Sequence, residues 1–215
     1  LKPGLLSEWS INNKSTATDY LYNSSCIVLW ECSECHGEYS HSIRDRECGD
    51  DSCPYCNNRK PLKGLNTVAD LKPGLLSEWS INNKSTATDY LYNSSHIVLW
   101  ECSECHGEYS HSIRDRECGD CSCPYCSNKK ILIGFNTFNV FYPELLPFWD
   151  YINNYLLADP SRILPKYNEK VWWICEHNKD HKYLMSPKQR INFQKRKKEP
   201  CTFCKGLRRK RRHFI

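Results

Sequence analysis

The chain has 215 residues, a formal net charge of +5 and fifteen cysteines. At about 100–200 residues per domain the length suggests one or two ordinary domains, but the cysteine density approaches that of a disulfide scaffold, and an odd count cannot pair fully within one chain. The longest apolar runs, such as Cys26 to Trp30, are far short of the roughly 20 residues of a membrane span, and no charged-then-apolar leader opens the chain. Metal binding in a reducing intracellular compartment, cytoplasm or nucleus, is therefore expected for the thiols rather than secretion. The chain opens on Leu1, and Met185 is its one methionine, so it reads as a fragment or processed piece.

In chain order, Leu5, Leu6 and Trp9 stand at helical spacing and predict a short helix with one apolar face. Cys26 to Trp30 reads as a strand leading into Cys32-x2-Cys35. Glu38 to Ile43 alternates weakly and predicts a hairpin partner ending at Arg44-Asp45-Arg46. Cys53-x2-Cys56 follows. Gly64 then reads as a helix stop, and Asn66-Thr67 as the cap of the next helix. Residues 71–130 repeat residues 1–60 with four mismatches, Cys26/His96, Asp51/Cys121, Asn57/Ser127 and Arg59/Lys129. Trp79, Trp100, Gly134 and Asn136-Thr137 therefore take the same roles. A third, degenerate copy begins near Phe141, where Leu145, Leu146, Trp149 and Asn154 echo the opening. Trp172-Trp173, Cys175, Arg190, Cys201 and Cys204 echo the rest. The expected domains are 1–70, 71–140 and 141–207, with a basic tail at 208–215. Linkers this short make the array semi-rigid.

A unit of about 70 residues is marginal for a self-sufficient apolar core. The cysteine spacing supplies what is missing. Cys32, Cys35, Cys53 and Cys56 form two CxxC pairs separated by 17 residues, and Cys102, Cys105, Cys123 and Cys126 repeat the pattern. That spacing is a zinc signature, with four thiolates completing a tetrahedron. In the third copy Cys175, Cys201 and Cys204 provide three ligands. His181 is the chosen fourth and His177 the alternative. Three zinc ions per chain are expected. Cys26, Cys48, Cys118 and Cys121 read as spare thiols, with ligand swapping within Cys118-x2-Cys121-x-Cys123 left open. His36, His41, His106 and His111 read as surface or supporting groups beside complete sites.

The order of these signals resembles a tandem treble-clef family, the "probable zinc-ribbon domain" type. They are Pro-x-Leu-Leu-x-x-Trp, an Asn pair, Val-Leu-Trp-Glu-Cys, Gly-Glu-Tyr, Arg-x-Arg, Cys-Pro-Tyr-Cys and Asn-Thr before the next Pro-Glu-Leu-Leu at 143–146. The resemblance covers essentially the whole chain as three copies. It implies a small metal-stabilised α+β fold, each module a knuckle, a β-hairpin and a short helix. Cys32/Cys35 would form the knuckle and Cys53/Cys56 the helix start, with Pro54 in its first turn. The third copy departs from the pattern by its missing knuckle cysteine and its Lys-rich insert.

Charge is segregated. Residues 1–140 hold thirteen Lys and Arg against eighteen Asp and Glu, a balance of −5, before four-thiolate sites add more negative charge. Lys188 to Arg212 holds twelve basic residues and one acid, a balance of +11. The expected nucleic-acid contacts are Lys195, Arg196, Lys197, Lys198, Arg208, Arg209, Lys210, Arg211 and Arg212, with local help from Arg44, Arg46, Arg114 and Arg116. The sequence holds no nucleophile–base arrangement and no paired-carboxylate motif. A non-catalytic zinc protein binding nucleic acid, DNA ahead of RNA, is the expected function. The alternatives are a protein-interaction scaffold, with the acidic copies meeting a protein partner, or the accessory region of a nuclease. No membrane partner is expected.

Overall fold

The computed structural model describes residues 3–48, 53–117 and 123–206. Leu1–Cys121 and Ser122–Ile215 form two compact units. In the first, Pro3–Leu6 makes one helical turn, α1. Strands β1 (Ile27–Glu31) and β2 (Glu38–Ser42) pair antiparallel with Trp30 opposite Tyr39, and α2 (Ile43–Cys48) follows without a loop. The expected helix face is only partly formed. Leu5 and Trp9 pack on the core, whereas Leu6 is half exposed; the chain leaves α1 through a tighter turn, Glu8 N–H donating to Leu5 O (3.2 Å) and Trp9 N–H to Leu6 O (3.3 Å). The edge of β1 offers backbone groups that must be paired. Glu31 N–H donates to Glu8 O (2.7 Å) and Ser10 N–H to Leu29 O (3.2 Å). Farther on, the Asn13 side chain substitutes for a third strand: Leu29 N–H donates to its Oδ1 (2.8 Å) while its Nδ2 donates to Leu29 O (2.7 Å). This explains the Asn of the repeat. The fully buried Trp30 donates its indole N–H to His41 O, and Trp9 meets it edge-on at 5.5 Å.

The next copy begins at α3 (Val68–Leu71), capped as expected by Thr67, whose hydroxyl accepts from Asp70 N–H. Asn66 joins the two copies. Its amide donates to Tyr55 O (2.7 Å) and Lys60 O (3.1 Å), while its own carbonyl accepts from Tyr92 N–H (3.1 Å). Val68 N–H adds a bond to Tyr90 O (3.0 Å). Strands β3 (Ile97–Glu101) and β4 (Glu108–Ser112) and helix α4 (Ile113–Glu117) repeat the first hairpin, with Trp79 on Trp100 and Asn83 on Leu99.

In the second unit Asn136 holds Tyr125 O and Lys130 O as Asn66 holds their counterparts. Helices α5 (Phe138–Phe141) and α6 (Tyr151–Asn154) precede β5 (Val171–Ile174), β6 (Lys182–Met185) and α7 (Pro187–Lys195). Thr137 stands at the N-cap of α5 but gives its hydroxyl to Asn139 instead of capping the backbone. Asn154, fully buried, repeats the strand-mimicking pair on Trp172. This copy has the larger apolar core, adding Phe138, Leu145, Ile163, Met185 and Ile191 around Trp149 and Trp173. No helix among the described residues is long and apolar enough to cross a membrane.

Candidate metal centres

The first ligand pair sits on a knuckle that the backbone closes around the metal position. Cys32 N–H donates to Gly37 O (3.1 Å) and His36 N–H to Cys32 O (2.9 Å), with His36 in the left-handed region at φ 56°. The second pair sits on one helical turn that goes no further. Asn58 takes φ 53°, its N–H bonds to Tyr55 O (3.0 Å), and Arg59 N–H reaches back to Pro54 O (2.8 Å). This is a Schellman closure, in which an Asn in the left-handed region ends the turn. Asn128 (φ 55°) closes the second copy the same way, and Gly206 (φ 69°) stands at this place in the third. The helix implied at Cys53 is thus a single closed turn, and the regular short helix is α2, before it in the chain.

These turns bring the expected ligands together. Cys32, Cys35, Cys53 and Cys56 form one tetrad, Cys102, Cys105, Cys123 and Cys126 a second, and Cys175, His181, Cys201 and Cys204 a third. In each, all ligand atoms lie within 4.8 Å of one another. Sulfurs of a tetrahedron with Zn–S bonds of about 2.3 Å stand about 3.8 Å apart. Here Cys32–Cys56 is 3.7 Å, Cys35–Cys53 3.6 Å and Cys175–Cys204 3.6 Å, spacings that fit zinc and are far too long for disulfides. In the third site His181 offers Nδ1, 3.7 Å from Cys204 Sγ and 4.0 Å from Cys201 Sγ. His177 instead pairs with Glu199 at 3.1 Å. The donor sets are soft, compact and four-coordinate, and the chain holds three zinc sites. Zinc there supplies structural cross-linking.

The thiols within a site are shifted in opposite directions. Burial disfavours an ionised Cys32, but backbone N–H groups of Cys35 and Glu34 outweigh it and bring the thiol to about 7. Burial and the neighbouring thiols push Cys56 up. Its counterpart Cys204 rises to about 12, first through Cys175. Burial and the same sulfur cluster raise the Tyr39 hydroxyl to about 12.

The third copy reaches its ligand set through paired changes. His181 O accepts from Cys175 N–H (2.9 Å) as Gly37 O accepts from Cys32 N–H, so His181 occupies the glycine's place. A side chain at Gly37 would meet the Tyr55 ring at 2.5 Å. In the third copy Phe203 stands where Tyr55 does, and it stacks on His181 with centroids 5.0 Å apart and planes at 19°. Likewise Ser10 donates to Glu38 in the first copy, and Asp150 pairs with Lys182 (2.9 Å) in the third. Burial works against an ionised Asp150, yet Lys182 and Asn153 hold it below the usual carboxylate value.

Other expected residues fall elsewhere. Arg46 and Arg116 point inward: each pairs with a shielded glutamate, Glu8 and Glu78, and lies over Trp30 (5.6 Å) and Trp100 (5.9 Å). They brace the fold rather than face a ligand, whereas Arg44 and Arg114 are exposed. Sequence reasoning missed these glutamates, although Glu8 and Glu78 recur with Arg46 and Arg116 at identical spacing. His36, His41, His106 and His111 stay out of the tetrads, as do the exposed Cys26 and Cys48. Lys195 ends α7, and Arg196, Lys197 and Lys198 follow it, all exposed. Cys118, Cys121, Arg208, Arg209, Lys210, Arg211 and Arg212 lie outside the described residues.

A hairpin, a knuckle and a closed turn around one four-ligand site, three times over, define a tandem zinc finger of treble-clef type. A family model described as "Probable Treble clef zinc finger domain" matches residues 5–59, 75–129 and 145–207, and the chain belongs to that family. A search of curated proteins gives no match.

Proposed function

We propose that this chain is a non-catalytic array of zinc modules that binds nucleic acid, DNA ahead of RNA, through its third module and C-terminal tail. The observation that carries this is the run Lys195 to Lys198. Four consecutive exposed cations form no ion pair among the described residues. A defined backbone presents them, since Lys197 N–H bonds to Gln194 O (2.9 Å) and Lys198 N–H to Phe193 O (3.0 Å). Uncompensated surface cations of this kind release counterions from phosphate and give salt-sensitive affinity. The first two modules, with their −5 balance over residues 1–140, do not attract a polyanion. Four protein ligands at each zinc leave no open position for a catalytic water. A second reading, a protein-interaction scaffold, draws on Ile11 and Ile81, 92 % and 93 % exposed at equivalent positions of the acidic modules.

The test is duplex DNA binding by fluorescence anisotropy across a salt series. It compares the full chain with a variant carrying Lys195→Gln, Arg196→Gln, Lys197→Gln and Lys198→Gln and lacking 207–215, which leaves Gly206 to close the ligand turn. The variant keeps every zinc ligand. We expect it to lose most of the affinity, with the salt slope flattened by about 0.9 per lost contact. Unchanged affinity and slope reject the reading, and no binding by the full chain at low salt hands the function to the scaffold.

A further inference from the structure

Where the third module departs from the other two, paired residues change together, as His181–Phe203 and Asp150–Lys182 show. Arg190 breaks that pattern. It corresponds to Arg46 and Arg116, yet the glutamate that holds those arginines, Glu8 or Glu78, is replaced by Phe148. Arg190 is 4 % exposed and lies 5.9 Å from the rings of both Phe148 and Trp173. Its Nε has no hydrogen-bond partner among the described residues, which holds for the Nε of Arg46 and Arg116 too, but Arg190 differs from them in forming no ion pair there. Its hydrogen bond to the neutral Tyr183 side chain and the two rings offset part of the desolvation but supply no counter-charge, and a buried cation without one is costly.

This arginine lines a cleft of about 550 Å³ bounded by Phe148, Glu176, Gln194, Lys197 and Lys198. The corresponding cleft of the first module, about 300 Å³, contains Glu8 and Arg46, already paired with each other. Two other acids of the larger cleft are engaged. Glu144 accepts from Gln194 Nε2 (3.0 Å), while Glu199 accepts from Cys201 N–H (2.7 Å) and pairs with His177. Glu176 is exposed. We propose that the third module carries an oxyanion site in which Arg190, flanked by Lys197 and Lys198, takes a phosphate group where the first two modules use their own glutamate. The choice of phosphate rests on the reading that this module meets nucleic acid. Arginine suits it, offering a planar set of N–H donors to phosphate oxygens.

The test follows the Arg190 Nε–H resonance of the zinc-loaded, ¹⁵N-labelled full chain during separate titrations with inorganic phosphate, acetate and a short DNA duplex. Arg190→Gln risks unfolding, so the deciding variant is Phe148→Glu, which restores the internal carboxylate and should still hold three zinc ions. We expect saturable movement of the resonance with phosphate and with duplex, and none in Phe148→Glu. The variant's salt slope for duplex should also fall by about 0.9, one phosphate contact. No movement in the parent chain, or equal movement in the variant, overturns the site. Equal response to acetate overturns its assignment to phosphate. Duplex binding with Arg190 unmoved removes the site but leaves the proposed function, whereas phosphate binding without duplex binding does the reverse.

Discussion

His181 combines two roles at one backbone position. Its carbonyl closes the knuckle as Gly37 does, and its ring replaces a missing cysteine. The position tolerates a ring because Phe203 is stacked against it rather than pressed into it. Cysteine spacing left His177 and His181 open, since both lie between Cys175 and Cys201. The register decides: Trp173 faces Tyr183 as Trp30 faces Tyr39, which sets His181 beside the metal position and leaves His177 with Glu199. We expect His181→Ala to reduce zinc from three ions per chain to two, measured by native mass spectrometry, and His177→Ala to retain three. The opposite outcome reassigns the ligand.

At the scale of elements, turns and caps decide where the chain stops. The ligand turns end at Asn58, Asn128 and Gly206, and Lys197 follows the C-cap Arg196 of α7, all four in the left-handed region. For lysine that conformation costs roughly 1–2 kcal/mol. Lys197→Gly should therefore stabilise the module by up to about 1 kcal/mol, read from denaturant midpoints, while removing one cation from the proposed phosphate surface. A loss of stability would mean that the Lys197 side chain contributes more than its backbone costs. The hairpins and ligand pairs were legible in the sequence, because spacing and alternation act locally. The third, strand-like segment at Glu8 to Ser10 was not. Its pairing depends on Leu29 and Glu31, some twenty residues away, and the Asn13 amide that extends it carries no periodic signal. The Glu8–Arg46 and Glu78–Arg116 pairs were hidden for the same reason: charge counts cannot separate a shielded pair from two solvated residues.

For the whole molecule, the metal carries what the small cores cannot. The first core consists of six buried residues, and two of these, Cys32 and Cys53, are ligands. Zinc-bound thiolates hold no protons, whereas unfolded thiols are protonated at neutral pH, so stability should rise with pH through the thiol range and fall in acid. The most direct measurement is native mass spectrometry of the reduced full chain, with near-UV circular dichroism followed as a chelator is added. We expect a dominant species with three zinc ions, whose loss abolishes the near-UV signal of the buried tryptophans. A chain that holds fewer than two zinc ions, or one that keeps its near-UV signal and protease resistance after the metal is gone, would contradict the view that zinc builds these modules.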